Sequence, residues 1–228
     1  MRRGALLTDR GLAALADGAR PGMTEAQLAD LIERAYVGEG ATTHIHYLGA
    51  TGMDTPSVAV PAQWHSRRRL AAGDVLTCEL SASFWDHPGQ VLRTFTIAAE
   101  PTGLYAELHA VAQEAFDAVC ARLRPGAAAA ELVAAAAGIE AAGYTIRDDL
   151  VHGFVGGYLP PVLGTPGREL APVPELTLEA GMTLVVQPNV VTRDERAGVQ
   201  TGELMLVAED GAQRLHGAPY GLRRIGDG

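Results

Sequence analysis

The stretch Leu70-Ala71-Ala72-Gly73-Asp74-Val75-Leu76-Thr77-Cys78-Glu79-Leu80-Ser81-Ala82-Ser83 reads as a tight Ala-Gly-Asp turn feeding a long strand. Side chains in a strand alternate between faces, so Leu76, Cys78, Leu80, Ala82 and Phe84 share one face and Thr77, Glu79, Ser81 and Ser83 the other. The first face suits a core. The second carries one carboxylate among hydroxyls and suits a cleft. A related phrase, Leu178-Glu179-Ala180-Gly181-Met182-Thr183-Leu184-Val185-Val186-Gln187-Pro188, returns in the second half and aligns Gln187 with Glu79. Arg20-Pro21-Gly22 recurs as Arg124-Pro125-Gly126, each time ahead of a helical pattern. These repeats predict two copies of one unit, at about residues 5–100 and 101–215, within a single domain of residues 1–228 that encloses a shared site.

Outward from this stretch, Ala5 to Ala16 has helical spacing and ends at the Arg20-Pro21-Gly22 breaker. Thr24-Glu25-Ala26-Gln27 has the pattern of a capping box, and Leu28, Leu31, Ile32 and Ala35 give the helix after it one apolar face. Short strands are expected at Ile45–Leu48 and Ser57–Pro61, and a further strand at Val91–Ala98. Leu104, Leu108, Val111, Ala112, Ala115, Phe116, Val119 and Leu123 keep helical spacing from Pro101 to Arg124. An Ala-rich helix is expected over Ala127–Ala142, followed by Leu150-Val151-His152-Gly153, a Gly- and Pro-rich loop, the repeated strand and a closing hairpin ended by Glu209-Asp210-Gly211.

The chain has 228 residues, 47% hydrophobic and 20% charged, an ordinary globular balance with enough length for a substantial core. A net charge of −9 argues against a nucleic-acid backbone as partner, and Arg67-Arg68-Arg69 is too short to overturn that. Cys78 and Cys120 are too few for a disulfide framework, and both sit in apolar patterns that disfavour a nucleophile. No apolar run reaches membrane-spanning length and the N-terminus lacks a signal-peptide pattern, so a cytoplasmic protein with no membrane partner is expected.

The motif order carries a resemblance: Arg-Pro-Gly before a helix, Gly73-Asp74 before a strand, Arg93-Thr94-Phe95, His152-Gly153, Glu179-Ala180-Gly181-Met182 leading to Pro188, and the Glu209-Asp210-Gly211 hairpin. From about Ala5 to Leu215 this resembles the methionine aminopeptidase, Xaa-Pro dipeptidase and creatinase family. The resemblance implies the α+β pita-bread fold, two pseudo-symmetric halves with a curved antiparallel sheet inside and helices outside. It implies a small-molecule or peptide-like substrate. A homodimer is compatible with the chain, although no residue points to one.

Peptidases of that family hold two metal ions with two Asp, one His and two Glu. By resemblance those positions fall on Glu79, Gln90, His152, Gln187 and Gly202, with Glu203 adjacent to the last. Gln is nearly isosteric with Glu but neutral, whereas hard divalent cations need anionic oxygens. Glu203 could substitute for position 202 only through a bulge, because neighbouring strand residues face opposite ways. A divergent member without the dinuclear centre, and with no cofactor, is therefore expected. His152, Glu79 and His65 are the catalytic candidates, with Gln90, Gln187, Gln200, Glu203 and Tyr158 as substrate-binding candidates. Three readings remain open. The first is a creatinase-like enzyme in which His152 or His65 carries a proton during C–N bond hydrolysis or a related reaction. The second is a non-catalytic module that binds a peptide or small ligand. The third is an atypical metallo-aminopeptidase whose ligands lie elsewhere, with His44, His46, His65 and Asp86-His87 as other possible ligands, apart from a single-metal site that Glu79, His152 and a turned Glu203 could form.

Overall fold

A computed structural model describes residues 1–227. The chain runs α1 (Arg2–Gly18), α2 (Glu25–Arg34), β1 (Thr42–Gly52), β2 (Asp74–Phe84), β3 (His87–Pro88), β4 (Val91–Ile97), α3 (Gly103–Cys120), α4 (Ala129–Ala135), α5 (Gly138–Ala141), β5 (Thr145–Ile146), β6 (Val151–Phe154), β7 (Tyr158–Leu163), β8 (Thr183–Val186), β9 (Val190–Val191), β10 (Gly202–Ala208), β11 (Gly211–Arg214) and β12 (Arg223–Ile225). One curled sheet has the order β1-β2-β4-β10-β8-β6-β7. The first half thus contributes β1, β2 and β4, the second contributes β10, β8, β6 and β7, and the two meet along β4 and β10.

The alternation expected in β2 holds. Leu76, Cys78, Leu80 and Ala82 pack beneath Leu7, Leu12 and Leu15 of α1 and Leu28 and Ile32 of α2. In the second half, Leu108, Phe116 and Val119 of α3 pack on Val151, Val186 and Val207 of the sheet. Each helical layer therefore covers one half of the same sheet face. The opposite face carries the polar residues of β2 and a small apolar cluster of Leu92, Phe154, Val185 and Leu204. Helix α2 begins with the expected capping box: the Gln27 N–H bonds to the Thr24 hydroxyl, and the Gln27 side chain accepts from the Thr24 N–H at 3.0 Å.

Three segments differ from the sequence expectation. β1 is an eleven-residue strand, because it pairs with β2 from Thr42↔Ser83 to Gly52↔Asp74. Ser57–Pro61 is not a strand. It lies between Pro56 and Pro61, which cannot donate to a ladder, and regular pairing there is limited to the single bridge Leu48↔Ala62. The Ala-rich helix divides into α4 and α5 just before Gly138, a poor helix former, and Leu132 and Ile139 on either side of the break are both buried in the core.

The seam between the halves is narrow. β10 and β4 share the register pairs Gly202↔Leu92 and Glu203↔Val91. A buried ion pair reinforces it. Arg93 Nη2 donates to Glu203 Oε2 at 2.6 Å, and Arg93 Nη1 donates to the Gly202 carbonyl at 2.7 Å. Arg214 Nε donates to Glu203 Oε1 at 2.6 Å, and the Tyr220 hydroxyl donates to the same oxygen at 2.9 Å. The Glu203 side chain has no solvent exposure and that of Arg93 is 4% exposed. Glu203 therefore faces this cluster and not the cleft. Removing Arg93 leaves Glu203 with Arg214 and Tyr220 but without its buried partner and leaves the Gly202 carbonyl without that donor, so Arg93→Ala is expected to lower the unfolding free energy by about 1.5–3 kcal/mol, read from chemical denaturation. A loss below about 1 kcal/mol would mean that the seam is held by other contacts.

Candidate active site

The polar sheet face opens into a cavity of about 460 Å³. Strand β2 supplies Glu79, and β1 supplies Ile45 and Tyr47, the latter directly opposite Glu79 in the register. Gln90 enters just ahead of β4, after a turn that touches helix α1 very closely. A Cβ at Gly89 would lie 2.5 Å from the Ala5 Cα, and one at Gly4 would lie 2.1 Å from the His87 carbonyl oxygen. Only glycines admit this approach, and it sets where Gln90 leaves the turn. The second half supplies Asp148, Asp149, His152, Phe154, Tyr158 and Gln187, and Val60 and Pro61 complete the wall.

A chain of hydrogen bonds crosses the cavity. Gln90 Nε2 donates to Glu79 Oε1 at 2.7 Å and lies 3.4 Å from Gln187 Oε1. Gln187 Nε2 donates to Asp149 Oδ1 at 3.2 Å, and the Tyr158 hydroxyl donates to the same oxygen at 3.0 Å. Two neutral amides thus link two carboxylic side chains, one from each half. The acids fix the amide orientations, because each NH2 group must face an acceptor.

His152 is buried, its ring stacked on Tyr158 with centroids 4.3 Å apart and edge-on to Phe154 at 5.5 Å. Its Nδ1 lies 3.0 Å from the Gly153 carbonyl oxygen. A carbonyl only accepts, so Nδ1 carries a hydrogen, and in the neutral form of the ring Nε2 holds the lone pair. Burial first, then the nearby Asp148 and Asp149, push the Glu79 carboxyl up to about 8. Asp149 is also raised, mainly by burial. Burial, then Glu79 and Asp148, raise Tyr47, while the Tyr158 hydroxyl is raised by burial and then by Asp149.

The structure thus brings Glu79, Gln90, His152, Gln187 and Tyr158 together, and three other candidates lie elsewhere. His65 is exposed and outside the cavity lining. Gln200 is fully buried, its backbone N–H bonded to Thr94 Oγ1 two residues further along the seam than Gly202, and it also lies outside the lining. Glu203 points into the Arg93 cluster because its neighbour Gly202 takes the inward direction and no bulge reverses the alternation. Asp148 and Asp149 were not anticipated. Their signal is an acidic pair close ahead of His152, otherwise led in by Leu150 and Val151.

The paired metal centre implied by the resemblance does not fit these residues. Two of the five positions present amides whose nitrogens already face acids. The fifth is Gly202, where a Cβ would lie 2.2 Å from the Val186 carbonyl oxygen and 2.8 Å from the Gln187 Cα, so no side chain can be accommodated on this backbone. Among the described residues, no three His, Cys, Asp or Glu side chains are grouped closely enough to hold an ion.

Known proteins give the scaffold a context. Residues 1–209 match the description of metallopeptidase family M24. The chain is 28% identical over 230 residues to the probable dipeptidase PepE of Mycobacterium tuberculosis, covering 97% of this chain and 57% of that protein. The crystal structure of dipeptidase PepE from Mycobacterium ulcerans matches with a TM-score of 0.84 at 26% identity, over 98% of this chain and 58% of the other. Methionine aminopeptidase from Rickettsia prowazekii matches in fold with a TM-score of 0.77 at 20% identity, over 94% of each chain. The chain therefore spans a little under three fifths of its PepE relatives and has the pita-bread architecture expected from its motifs. With most of its length matched and the characteristic sheet in place, this chain belongs to metallopeptidase family M24, as a member whose ligand positions have diverged.

Proposed function

We propose that this protein is a hydrolase-like enzyme that acts on a C–N bond of a small amino-acid-, peptide- or amide-like substrate without a dinuclear metal centre. The observation that carries this reading is the hydrogen-bonded chain Glu79–Gln90–Gln187–Asp149 beside the unencumbered Nε2 of His152, all in one cavity. A metal-free site needs a proton carrier and fixed polar groups, and these residues meet both needs. In the hydrolytic version, His152 Nε2 takes a proton from water as the water oxygen bonds to the substrate's carbonyl carbon. The C–N bond then breaks as the same proton passes from His152 to the departing nitrogen. Gln90 and Gln187 hold Glu79 and Asp149 in place, and Phe154, Ile45 and Val60 limit the water around them.

A second reading, a binding module without turnover, draws support from the neutral amides and the Gly202 closure. A thermal-shift screen of amino acids, dipeptides and their amides, followed by product analysis on each hit, separates the two. Turnover is expected, unaffected by chelators, and His152→Ala is expected to reduce it by about 10²–10⁴-fold. Stoichiometric Mn, Co, Fe or Zn in protein purified without chelator would sink the metal-free reading, and full activity in the His152 variant would sink the mechanism.

Glu79 offers a test independent of any substrate. Its folded carboxyl titrates at about 8, against a usual value near 4.5. Between those values the folded state keeps a proton that the unfolded chain has released. Its contribution to stability is full below the lower value and is lost as pH rises through the upper one. Glu79→Gln is therefore expected to raise the melting temperature at pH 9 relative to the unsubstituted protein and to change it little at pH 5. Asp148 and Asp149 face the same cavity, so a reduced slope remains in the variant. An unchanged pH profile would show that Glu79 is not a buried, proton-holding acid.

A further inference from the structure

We infer that Tyr158 is a positioning residue for His152: a bulge in β7 lays its ring flat on the imidazole and fixes the plane in which Nε2 meets a substrate. This rests on His152 being the proton carrier and goes further in assigning what holds it, with Tyr158 acting through His152 and not on the substrate.

The strand register carries the inference. β6 and β7 pair Val151↔Leu163 and His152↔Val162, then shift to Gly153↔Leu159 and Phe154↔Tyr158. The shift leaves Pro160 and Pro161 outside the ladder as two extra residues on β7. Neither has an N–H, so skipping them forfeits no donor. In an unshifted register Pro160 would stand opposite Phe154, and Tyr158 would fall in the connecting turn. The bulge instead draws Tyr158 back opposite Phe154, on the face that Phe154 shares with His152. A Cβ at position 153 would lie 2.3 Å from the Pro160 carbonyl oxygen, so the bulge needs the glycine that follows His152.

The contacts on the imidazole divide unequally. The Tyr158 ring lies over it with centroids 4.3 Å apart and planes 29° apart. Phe154 meets it edge-on, and the Gly153 carbonyl holds it at Nδ1 alone, a single atom about which a ring can tilt. The flat contact with Tyr158 therefore sets the plane. Tyr158 is held in turn by its hydroxyl, which donates to Asp149 Oδ1 at 3.0 Å. Carboxyl, phenol and imidazole form one line of support. Yet Tyr158 is 55% exposed, so its ring adds little to the core, and its specific contacts are with His152 and Asp149. A general base works along the direction of its lone pair, so a tilt of the ring costs rate even where the histidine stays in the cavity.

The test begins without substrate, by NMR of the isotope-labelled full chain. In the unsubstituted protein the stack is expected to move the carbon-bound ring protons of His152 upfield, and at a pH where the ring is neutral its nitrogens are expected to report the Nδ1–H form. Tyr158→Leu is expected to abolish the upfield shift and to mix in the Nε2–H form, whereas Tyr158→Phe keeps both signatures. In the amide assay, Tyr158→Leu is expected to lower kcat by about ten- to a hundredfold with KM changed by less than about twofold. Tyr158→Phe keeps the ring and is expected to cost about fivefold or less. If Tyr158→Leu fails to fold, the unsubstituted spectrum and the Tyr158→Phe variant still decide. His152 ring protons with no upfield shift, a tautomer unchanged in Tyr158→Leu, or a loss confined to KM would each overturn the inference. Tautomer mixing in Tyr158→Leu with no turnover of any amide by the unsubstituted protein would leave Tyr158 as the support of His152 while removing the catalytic reading. Turnover that requires His152 but is untouched by Tyr158→Leu would do the reverse.

Discussion

The ion pair between Arg93 and Glu203 is the constraint on which the rest of the molecule depends. Each half builds its own helical layer and core, and the halves share little hydrogen bonding along β4 and β10. Arg93 spans that line, bonding to Glu203, to the Gly202 carbonyl and to the Pro219 carbonyl, with the Tyr220 ring 4.9 Å from its guanidinium. A buried pair with this many satisfied hydrogen bonds fixes register as well as contact. The cleft straddles the same line. Gln90 stands three residues before Arg93, and Gly202 stands beside Glu203, so a slip at the pair would carry one wall of the cavity past the other.

This arrangement separates the scaffold from the chemistry it hosts. The sheet and helices follow the family, and the side chains that would gather cations do not. Neutral amides at positions 90 and 187 bond directly to acids, and the second half places a carboxylic group at Asp149 instead. Fold membership thus leaves the reaction to be argued from the site itself. Here the site is an acceptor-rich pocket with a single imidazole.

Much of this was legible in the chain. Alternation in β2 gave the core face and the position of Glu79, because strand geometry admits one reading of Leu76, Cys78, Leu80 and Ala82. Thr24 and Gln27 announced a capping box that the structure contains. The resemblance brought Glu79, Gln90, His152 and Gln187 to one cavity, since it transfers position by position along a shared scaffold. What was hidden depended on distant partners. Strand alternation already set Glu203 apart from position 202, but its buried pairing with Arg93 required the β4–β10 register. Asp149 drew no expectation from the sequence, because its place in the site depends on Tyr158 and Gln187 coming within reach. His65 stood among the catalytic candidates, yet its loop leaves it exposed. The break in the Ala-rich helix falls beside Gly138, a local signal that the run of alanines around it masked.

The backbone at Gly202 gives the divergence a direction. β10 lies so close to β8 that a single added carbon at position 202 would press into Val186, so this backbone leaves no room there for an acid. Recharging positions 90 and 187 would place new anions beside Glu79 and Asp149 with nothing to neutralise them. Rebuilding position 202 first would force β8 and β10 apart. A side chain at position 202 therefore needs a main-chain shift before it can enter the pocket, so substitution at positions 90 and 187 alone changes the lining but not the space beside β10.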